Sequence, residues 1–418
     1  MRVDIAVIGA GPAGLSFTRA LAGAGFSIAL IERQSRETLE KPPFDGREIA
    51  LTQRSVRLMK ELDQWQRLDA DSISPLKQAK VLNGASPLAM MVSPGHGAHE
   101  ELGFLVPNGE IRRVAFAAMS ESAGEELLTG VGVRALATRG NAVELTLDDG
   151  RKIDAGLAIA ADSRFSETRR MRGIAASMHD FGRTMMVCRM ALERDHEGIA
   201  WEWFDHGQTL ALLPLNGNEA SVVLTLPQQE MQAVMALDEI AFNAEMTRRF
   251  DRRLGAMRLT STRHPYPLVA VYAERFVAPR FACIGDAAVG MHPVTAHGFN
   301  FGLAGAATLA KALREARSKG RDVGDERVLA SWEREHRATT RPLYLATNAI
   351  ARLYTDESRP ARLLRDAAVQ AGRRFPPVQR ALAAAVSGSA DRPPLVSRLA
   401  SYPAAFLRKR HAARLPLR

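Results

Sequence analysis

Residues 3–21 read VDIAVIGAGPAGLSFTRAL and decide the fold. An apolar run typical of a buried strand leads into Gly9, Gly11 and Gly14, and an apolar pattern with helical period follows. Glycines at this spacing permit a tight turn, a close approach of the backbone to a pyrophosphate, and close packing of helix on strand. The stretch therefore predicts a strand, a phosphate-binding turn and a helix at the start of a dinucleotide-binding α/β domain.

An acidic residue stands at the end of the next predicted strand, residues 27–31. Glu32 lies 18 residues after the last glycine of the motif, where a carboxylate accepts hydrogen bonds from an adenosine ribose. We expect Glu32 and the adjacent Arg33 to contact the cofactor. The glycine motif is found once and the chain has no Cys-x-x-Cys pair, which favours one tightly held FAD over a separate nicotinamide domain.

Three further cofactor candidates stand beside predicted turns. Arg47 follows a glycine and is expected to reach the FAD phosphates or ring, unless it is a solvated arginine at a helix entry. Arg112 stands near the start of a predicted helix. Asp162 follows an apolar run, and it either caps the next helix or joins the cofactor site.

Residues 281–303 repeat the order of strand, loop and helix. The apolar run 281–284 ends in Gly285 and Asp286, a loop with two histidines follows, and an apolar helix is predicted from Phe299. An acidic side chain at the carboxyl end of a strand lies where open α/β sheets bind their ligands. The alternative is an ordinary connection that holds no site.

The middle of the chain has antiparallel character. Four strand-like runs lie between residues 181 and 226, and a helix and a strand are predicted at 237–254 and 258–271. We predict an α/β fold in which a Rossmann-like FAD-binding domain is interleaved with an antiparallel-sheet substrate domain, plus C-terminal helices. The predicted division is 1–72, 104–180 and 265–350 for the FAD-binding domain, 73–103 and 181–264 for the substrate domain, and 351–418 for a basic helical tail.

The positive charge is concentrated at the carboxyl end. Of 418 residues, 46% are hydrophobic and 24% are charged, and the net charge is +10. Residues 359–418 hold 13 Lys and Arg against two Asp, a net +11, so the remaining residues carry −1. The net positive charge therefore does not indicate that the body binds nucleic acid, and no nucleic acid is expected as a partner. The tail is predicted to seek an anionic surface.

The remaining composition fits a cytoplasmic protein without a metal. Cys188 and Cys283 stand in apolar runs and are predicted to be buried free thiols. No His/Cys cluster has metal-ligand spacing, and no apolar run reaches the roughly 18 residues of a transmembrane helix. His336 is predicted to lie on the surface of an amphipathic helix.

Three separated motifs stand in one order along the chain. They are Gly9-x-Gly11-x-x-Gly14 with Glu32, Ala161-Asp162-Ser163-x-x-Ser166-x-x-Arg169, and Gly285-Asp286-Ala287-Ala288 with His292-Pro293 and Gly298-Phe299-Asn300. In this combination residues 1–350 resemble the group A flavoprotein monooxygenases, which share the para-hydroxybenzoate hydroxylase-like fold. The run 292–303 narrows the resemblance to the ubiquinone-biosynthesis hydroxylases, and within them to the bacterial demethoxyubiquinol hydroxylases.

The resemblance implies an FAD-dependent hydroxylase that uses NAD(P)H and O2 on a polyprenylated phenol or quinol of ubiquinone biosynthesis. It places these residues at the flavin end of FAD: Asp286, Pro293, Gly298, Phe299 and Asn300. His292 and His297 are candidates to activate the substrate phenol, and either is equally a candidate for a structural role.

Two positions depart from the family pattern. Ser163 replaces a usual glycine, and it would be strained by roughly 1 kcal/mol if the position needs a positive φ. Ala296-His297 replaces Gly-Gln, so substrate choice is expected to depend on this part of the loop.

Two other functions fit part of the sequence. Trp201-x-Trp203 is similar to a halogenase motif but lacks the isoleucine-proline that should follow, so another flavoenzyme on this fold, a halogenase or prenyl reductase, is an alternative. The second is a flavin-binding scaffold of a quinone-synthesis complex. The basic tail is predicted to dock on an anionic membrane surface or on quinone-biosynthesis proteins, which would place the protein at the inner membrane face.

Overall fold

The computed structural model describes most of the chain before the basic tail. The described residues are 1–84, 89–94, 100–121, 124–205, 207–295, 297–356, 358, 360–361 and 365. The strands are β1 Arg2–Ile8, β2 Ile28–Glu32, β3 Glu48–Thr52, β4 Ser74–Leu76, β5 Gln78–Asn83, β6 Met90–Val92, β7 Gly103–Pro107, β8 Glu125–Thr129, β9 Val133–Arg139, β10 Ala142–Leu147, β11 Lys152–Ala160, β12 Ala176–Leu192, β13 Ile199–Asp205, β14 Gln208–Pro214, β15 Glu219–Pro227, β16 Met257–Leu259, β17 His264–Ala273, β18 Val277–Ala278, β19 Phe281–Cys283 and β20 Val289–Gly290. The helices are α1 Pro12–Leu21, α2 Arg36–Glu40, α3 Gln53–Glu61, α4 Asn108–Ser120, α5 Glu167–Met171, α6 Gln228–Met235, α7 Glu239–Arg249, α8 Gly298–Ser318 and α9 Glu326–Thr355. The predicted basic tail lies almost wholly outside the described residues.

The first sheet is built on parallel strands buried on both faces. Its order is β18-β19-β11-β1-β2-β8, and β10 and β9 extend it beside β11. β1 pairs in parallel with β2 and β11, and β11 pairs in parallel with β19. Because parallel strands end at the same edge, the turns that begin at Gly9, Ala161 and Ile284 meet there. The three sequence motifs are therefore brought together by this sheet.

The second sheet is mostly antiparallel. Its order is β20-β17-β12-β15-β14-β13-β5-β6, with β16 beside β12. The four predicted strands correspond to β12 to β15. β12 begins at Ala176, so the predicted domain boundary after residue 180 falls inside a strand, and the proposed division of the chain into domains stays a prediction. The predicted helix 237–254 corresponds to α7, which is shorter at both ends. Asp238 caps its start by accepting a 2.8 Å hydrogen bond from the amide of Ala241, and the helix ends at Arg249.

A third, small sheet joins the other two. Its order is β3-β7-β4, and both pairings are antiparallel. β4 and β5 come from the same short segment, but β4 pairs with β7 whereas β5 enters the second sheet. The strand β3 therefore lies at an edge of its sheet, and the backbone groups on its outer side are available to other segments.

The two cysteines are buried and free, as predicted, whereas the prediction for His336 is wrong. The His336 ring is 8% exposed and stacks on Trp332 with centroids 5.4 Å apart. A side chain on Gly305 would approach the ring to 2.7 Å, so the glycine makes the room that the imidazole occupies. Burial, and then Arg54, lower the pKa of His336 to about 4, which keeps the ring neutral in the core.

The described residues hold neither a membrane-spanning helix nor a metal-type cluster. None of their helices is both long and apolar enough to cross a bilayer. None of the groupings of His, Cys, Asp and Glu within the described ranges could hold a metal ion.

Candidate active site

The glycine motif forms a packed turn with one open face. Gly9 has φ +107°, and a Cβ there would lie 2.5 Å from the carbonyl oxygen of Ala161. A Cβ on Gly14 would lie 2.0 Å from the carbonyl oxygen of Gly9, whereas a Cβ on Gly11 would meet no atom within 4 Å. Gly11 is also the N-cap of α1 and provides no side-chain cap. The space beside the start of α1 is therefore open, and a helix N-terminus is where anions bind.

Glu32 is fixed beside this turn by two backbone amides. Its Oε2 accepts a 2.6 Å hydrogen bond from the Ala10 amide, and its Oε1 accepts one of 2.9 Å from the Gln34 amide. Arg112 donates to the Gln34 side-chain oxygen at 2.7 Å, so it also lies at this end of the site. Arg33 instead forms a 2.5 Å ion pair with Glu167 at the protein surface, and its predicted cofactor contact stays a prediction.

The two carboxylate oxygens of Asp162 have different surroundings, and its predicted cofactor contact stays a prediction. Its Oδ2 accepts from the Thr168 hydroxyl at 3.0 Å, which ties it to α5. Its Oδ1 is buried and has no hydrogen-bond partner among the described residues. Buried carboxylate oxygens are normally bonded, so this oxygen is suited to a ligand. Ser163 is absent from the described non-glycine residues with positive φ, so the strain expected from the loss of glycine does not arise.

Asp286 is joined to the second motif by an arginine that the sequence analysis did not single out. Arg164 Nη2 donates to Asp286 Oδ2 at 3.0 Å, and Arg164 Nη1 donates to the Val269 carbonyl at 3.0 Å. Gly285 has φ +58°, and a Cβ there would lie 2.9 Å from Ala13 Cβ. The turn that carries Asp286 therefore lies directly against the start of α1.

Arg47 is held in place rather than fully solvated. Its guanidinium donates to Asp45 Oδ2 at 2.6 Å, and the Asn108 amide donates to the same oxygen at 2.7 Å. The Arg47 guanidinium also lies 5.5 Å from the ring centroid of Tyr266, in the second sheet. Burial is the largest single influence on Asp45 and opposes its ionisation, but the hydrogen bonds and charge of Arg47 together with the Asn108 amide outweigh burial, and the pKa of Asp45 is lowered. The ion pair therefore stays charged where the sheets meet.

The amide of Asn300 ties the start of α8 to the open edge of β3. Its Oδ1 accepts from the Thr52 amide at 3.1 Å, and its Nδ2 donates to the Ala50 carbonyl at 2.8 Å. Asn300 is 6% exposed, and His297, the N-cap of α8, is equally buried beside Phe301. Both therefore help to shape the loop, whereas Ala296 lies outside the described residues.

The loop residue His292 is neutral over the physiological range. Burial, then Arg164 and His179, lower its pKa to about 4. Its Nδ1 accepts from the Val294 amide at 3.2 Å, which leaves the proton on Nε2, and its ring packs edge-on against Phe181 at 4.6 Å. With Nδ1 engaged and Nε2 protonated, His292 is a hydrogen-bond donor and not a base.

Two carboxylates that the sequence analysis did not select lie on β3 and β13. Glu48 on β3 accepts from Arg189 on β12 at 2.6 Å, and its side chain is fully buried. Burial is the main cause that raises the pKa of Glu48 to about 7, and Arg189 only partly offsets it. Glu202 stands between two tryptophans in β13, and burial raises its pKa to about 8. In the sequence, the one sign of such a role for Glu202 is an acidic residue placed between two tryptophans in a predicted strand.

These features fit a bound dinucleotide. The open space at Gly11, the uncapped start of α1 and the unpartnered Oδ1 of Asp162 lie at one sheet edge, with Glu32 at one end. Asp286 and residues 292–295 and 297–300 lie beside the same edge. The arrangement offers amides and carboxylates to phosphates and hydroxyls, and backbone amides to a ring system.

Comparison with known proteins agrees with this assignment. Residues 2–344 match the FAD binding domain family. The chain is 43% identical to the ubiquinone hydroxylase UbiM of Neisseria meningitidis over 92% of this chain and 84% of that protein. It is 33% identical to the ubiquinone hydroxylase UbiL of Rhodospirillum rubrum over 90% of this chain and 87% of that protein. The structure of PqsL, a probable FAD-dependent monooxygenase from Pseudomonas aeruginosa, superimposes with a TM-score of 0.75 at 20% identity, covering 88% of this chain and 100% of that one. The predicted fold and family are confirmed.

Proposed function

Since the chain belongs to the FAD-binding-domain family of flavoprotein monooxygenases, we propose that it hydroxylates the ring of a prenylated phenol or quinol on the route to ubiquinone. FAD is the cofactor and NAD(P)H the co-substrate of this family, and the reduced flavin supplies the chemistry that activates O2. The protein's own residues bind, orient and shield the reacting ring.

One contact between the sheets carries the proposal. A Cβ on Gly46 would lie 2.9 Å from Val187 Cγ2 of β12, so the second sheet faces the loop that holds Arg47. On this face, register places Val187 opposite Val223, and Val223 opposite Ala211. Val187, Val223 and Ala211 therefore form a short apolar wall next to the cofactor edge, and such a wall suits an aromatic ring with a prenyl chain. Arg189, Ser221 and Thr225 flank this wall on the same face.

We assign the cofactor roles according to position along the edge. Gly9, Gly11 and Gly14 with the amides of α1 would hold the pyrophosphate, and Glu32 would hold the adenosine ribose. The flavin end would be held by this group: Arg47, Asp286, Pro293, Gly298, Phe299 and Asn300. Asp162, which lies beside Gly9, would join the group at the pyrophosphate. Arg112 would support the adenosine end through Gln34.

The histidines have orienting roles in this proposal. His292, neutral and protonated on Nε2, would donate one hydrogen bond to the substrate or flavin. His297 would hold the start of α8 in place. Neither residue is assigned as the base.

The test is complementation of bacterial strains that each lack one ubiquinone hydroxylation step, with the quinone intermediates measured by mass spectrometry. We expect rescue of at least one strain, dependent on an intact glycine motif. Rescue of none would refute the ring-hydroxylase proposal. Bound FAD that NAD(P)H cannot reduce in the presence of candidate quinols would favour the scaffold.

The halogenase alternative loses its sequence support. Trp201 and Trp203 pack into the core between the second sheet and α7, and the Trp203 indole donates to the Gly84 carbonyl at 2.9 Å. The two tryptophans therefore have a packing role on the face away from the apolar wall. A halide-dependent product would overturn this conclusion.

We further propose that the basic tail binds an anionic membrane surface, which would place the enzyme peripherally at the cytoplasmic side of the inner membrane. Two observations support this. Residues 359–418 carry a net charge of +11, whereas the rest of the chain carries −1. A prenylated substrate also resides in lipid, so the enzyme must meet it at a membrane. Each basic side chain near such a surface contributes about 1 kcal/mol. Replacing Arg-Lys-Arg at 408–410 with glutamines should therefore weaken binding to anionic vesicles roughly 100-fold at low salt.

The matched control removes the same charge from the body. Arg134, Arg139 and Lys152 are exposed on the β9 to β11 hairpins, and their replacement by glutamine should leave vesicle binding unchanged. Equal losses for the two triple variants would show that net charge, and not the tail, drives association. Neutral vesicles should bind neither the full chain nor the variants.

A further inference from the structure

Glu202 lies at the end of the apolar wall of the second sheet, next to Ala211. Its strand neighbours Trp201 and Trp203 point into the core beneath the sheet, so alternation places Glu202 on the opposite face. Register sets it opposite Val81 of β5 and Ala211 of β14. Small and apolar side chains therefore flank the carboxyl group on both adjacent strands.

This face is the same one that meets the cofactor edge. Glu202 pairs with Ala211, which pairs with Val223, which pairs with Val187. Three strand spacings, roughly 14 Å, separate Glu202 from Val187 along the sheet. A ring bound at the middle of this row, over Val223 and Ala211, lies within one or two strand spacings of both Glu202 and the cofactor loop.

The ends of the wall on either side of Glu202 are covered. Phe204, two residues along β13, is stacked by Tyr354 from α9. Ala200, two residues in the other direction, packs in a small cluster with Leu76 and Leu102. Glu202 is left partly exposed between these two covered ends. The described residues around Glu202 therefore leave part of its side chain accessible.

Glu202 forms no hydrogen bond or ion pair with any residue that the structure describes, and burial alone raises its pKa to about 8. The charged groups of the surrounding elements are engaged elsewhere: Lys80 lies over the Trp201 ring on the other face, Arg183 donates to Gly207, Arg189 binds Glu48, and Arg352 lies beside His179. A carboxyl group in an apolar setting without a protein partner is a costly feature unless a ligand supplies the partner.

We propose that Glu202 binds a ring hydroxyl of the substrate and accepts its proton. In this step the phenolic O–H bond breaks, a carboxyl O–H bond forms, and the ring oxygen keeps the electron pair. The ring becomes more electron-rich, as attack by an electrophilic oxygen requires. The inference rests on the proposed function, because it takes the substrate to be a phenol or quinol.

A binding experiment tests this without requiring turnover. Oxidised holoenzyme is titrated with 2-prenylphenol and with its methyl ether between pH 6.5 and 9, and the flavin absorbance change reports binding. The carboxylate is a stronger acceptor than the neutral acid, so affinity for the phenol should rise about 10-fold across this range. The ether cannot donate a hydrogen bond and should show no rise.

The variant Glu202→Gln should bind the phenol with a flat pH profile, while its FAD content and its reduction by NAD(P)H stay at wild-type levels. Glu219→Gln, on β15 of the same sheet, is the matched control and should keep the wild-type profile. An unchanged profile in Glu202→Gln would overturn the inference even if hydroxylation is observed. If Glu202→Gln loses the pH dependence of phenol affinity but the wild-type enzyme does not hydroxylate, the binding role of Glu202 is supported and the proposed function is refuted.

Discussion

Replacing Gly11 by alanine is expected to separate FAD binding from folding, and replacing Gly14 is expected to damage both. The two glycines are three residues apart in one motif, yet their surroundings differ. A Cβ on Gly11 meets nothing within 4 Å, whereas a Cβ on Gly14 lies 2.0 Å from the Gly9 carbonyl oxygen. The pair therefore provides its own control.

The magnitudes follow from these distances. Gly11 has φ −72°, which alanine adopts without strain, so Gly11→Ala should leave the stability of the apoprotein unchanged or raise it by about 0.4–1 kcal/mol. The new methyl group stands where the pyrophosphate approaches, and one lost charge-assisted bond costs about 1.5–3 kcal/mol. FAD affinity should therefore fall about 10- to 100-fold. For Gly14→Ala, helix and turn must separate by more than 1 Å to reach the ordinary contact of about 3.5 Å, and such overpacking costs about 1–3 kcal/mol.

The assay compares thermal unfolding of the two apoproteins with their FAD affinity measured by flavin fluorescence. We expect Gly11→Ala to have the wild-type apoprotein Tm and weak FAD binding, and Gly14→Ala to be impaired in both. Wild-type FAD affinity in Gly11→Ala would refute the assignment of the open face to the pyrophosphate. A large drop in the Tm of Gly11→Ala apoprotein would show that the space beside Gly11 is needed for folding and is not reserved for a ligand.

Three other predictions concern buried polar groups. Asn300→Ala leaves two backbone groups of β3 without partners and should lower the free energy of unfolding by about 2–4 kcal/mol in a denaturant titration. A loss below about 0.5 kcal/mol would show that the hydrogen bonds between Asn300 and β3 do not stabilise the fold. The pKa of Glu48 is near 7 in the folded state, above its unfolded value, so its contribution to stability declines as the pH rises from about 4.5 to 7. Glu48→Gln keeps an acceptor for Arg189, so its free energy of unfolding relative to the wild type should increase by on the order of 3 kcal/mol between pH 4.5 and pH 8. Parallel pH profiles of the two proteins would contradict this. Burial raises the thiol pKa of Cys188 and Cys283, so a thiol reagent should label neither cysteine in the native holoenzyme and both after unfolding, as read by mass spectrometry.

The sequence predicted the parts of the site that depend on local order. The glycine turn, its strand and its helix follow from a continuous stretch, and the acid at the end of the second strand follows from a fixed spacing. The strands β12 to β15 were predictable because their alternating pattern is bounded by turn-forming residues. The family resemblance rested on motifs of the same local kind.

The parts that were missed depend on which distant segments become neighbours. Nothing near Arg164 in the sequence indicates that its guanidinium meets Asp286, because β11 and β19 must first pair. The tie between Asn300 and β3 likewise needs two segments about 250 residues apart. His336 was placed on the surface because its helix is amphipathic, and only the space left by Gly305 in a neighbouring helix admits the ring.

The parallel arrangement of β1, β11 and β19 also bears on how the protein folds. Val7 pairs with Ile159, and Ile159 with Ala282, so each pairing closes a loop of well over 100 residues. Closing such loops costs entropy before the contacts repay it, which slows folding. The full cofactor edge does not exist until the chain has been synthesised past β19. FAD is therefore expected to stabilise the finished fold and to slow its unfolding, and not to speed the early steps of its formation.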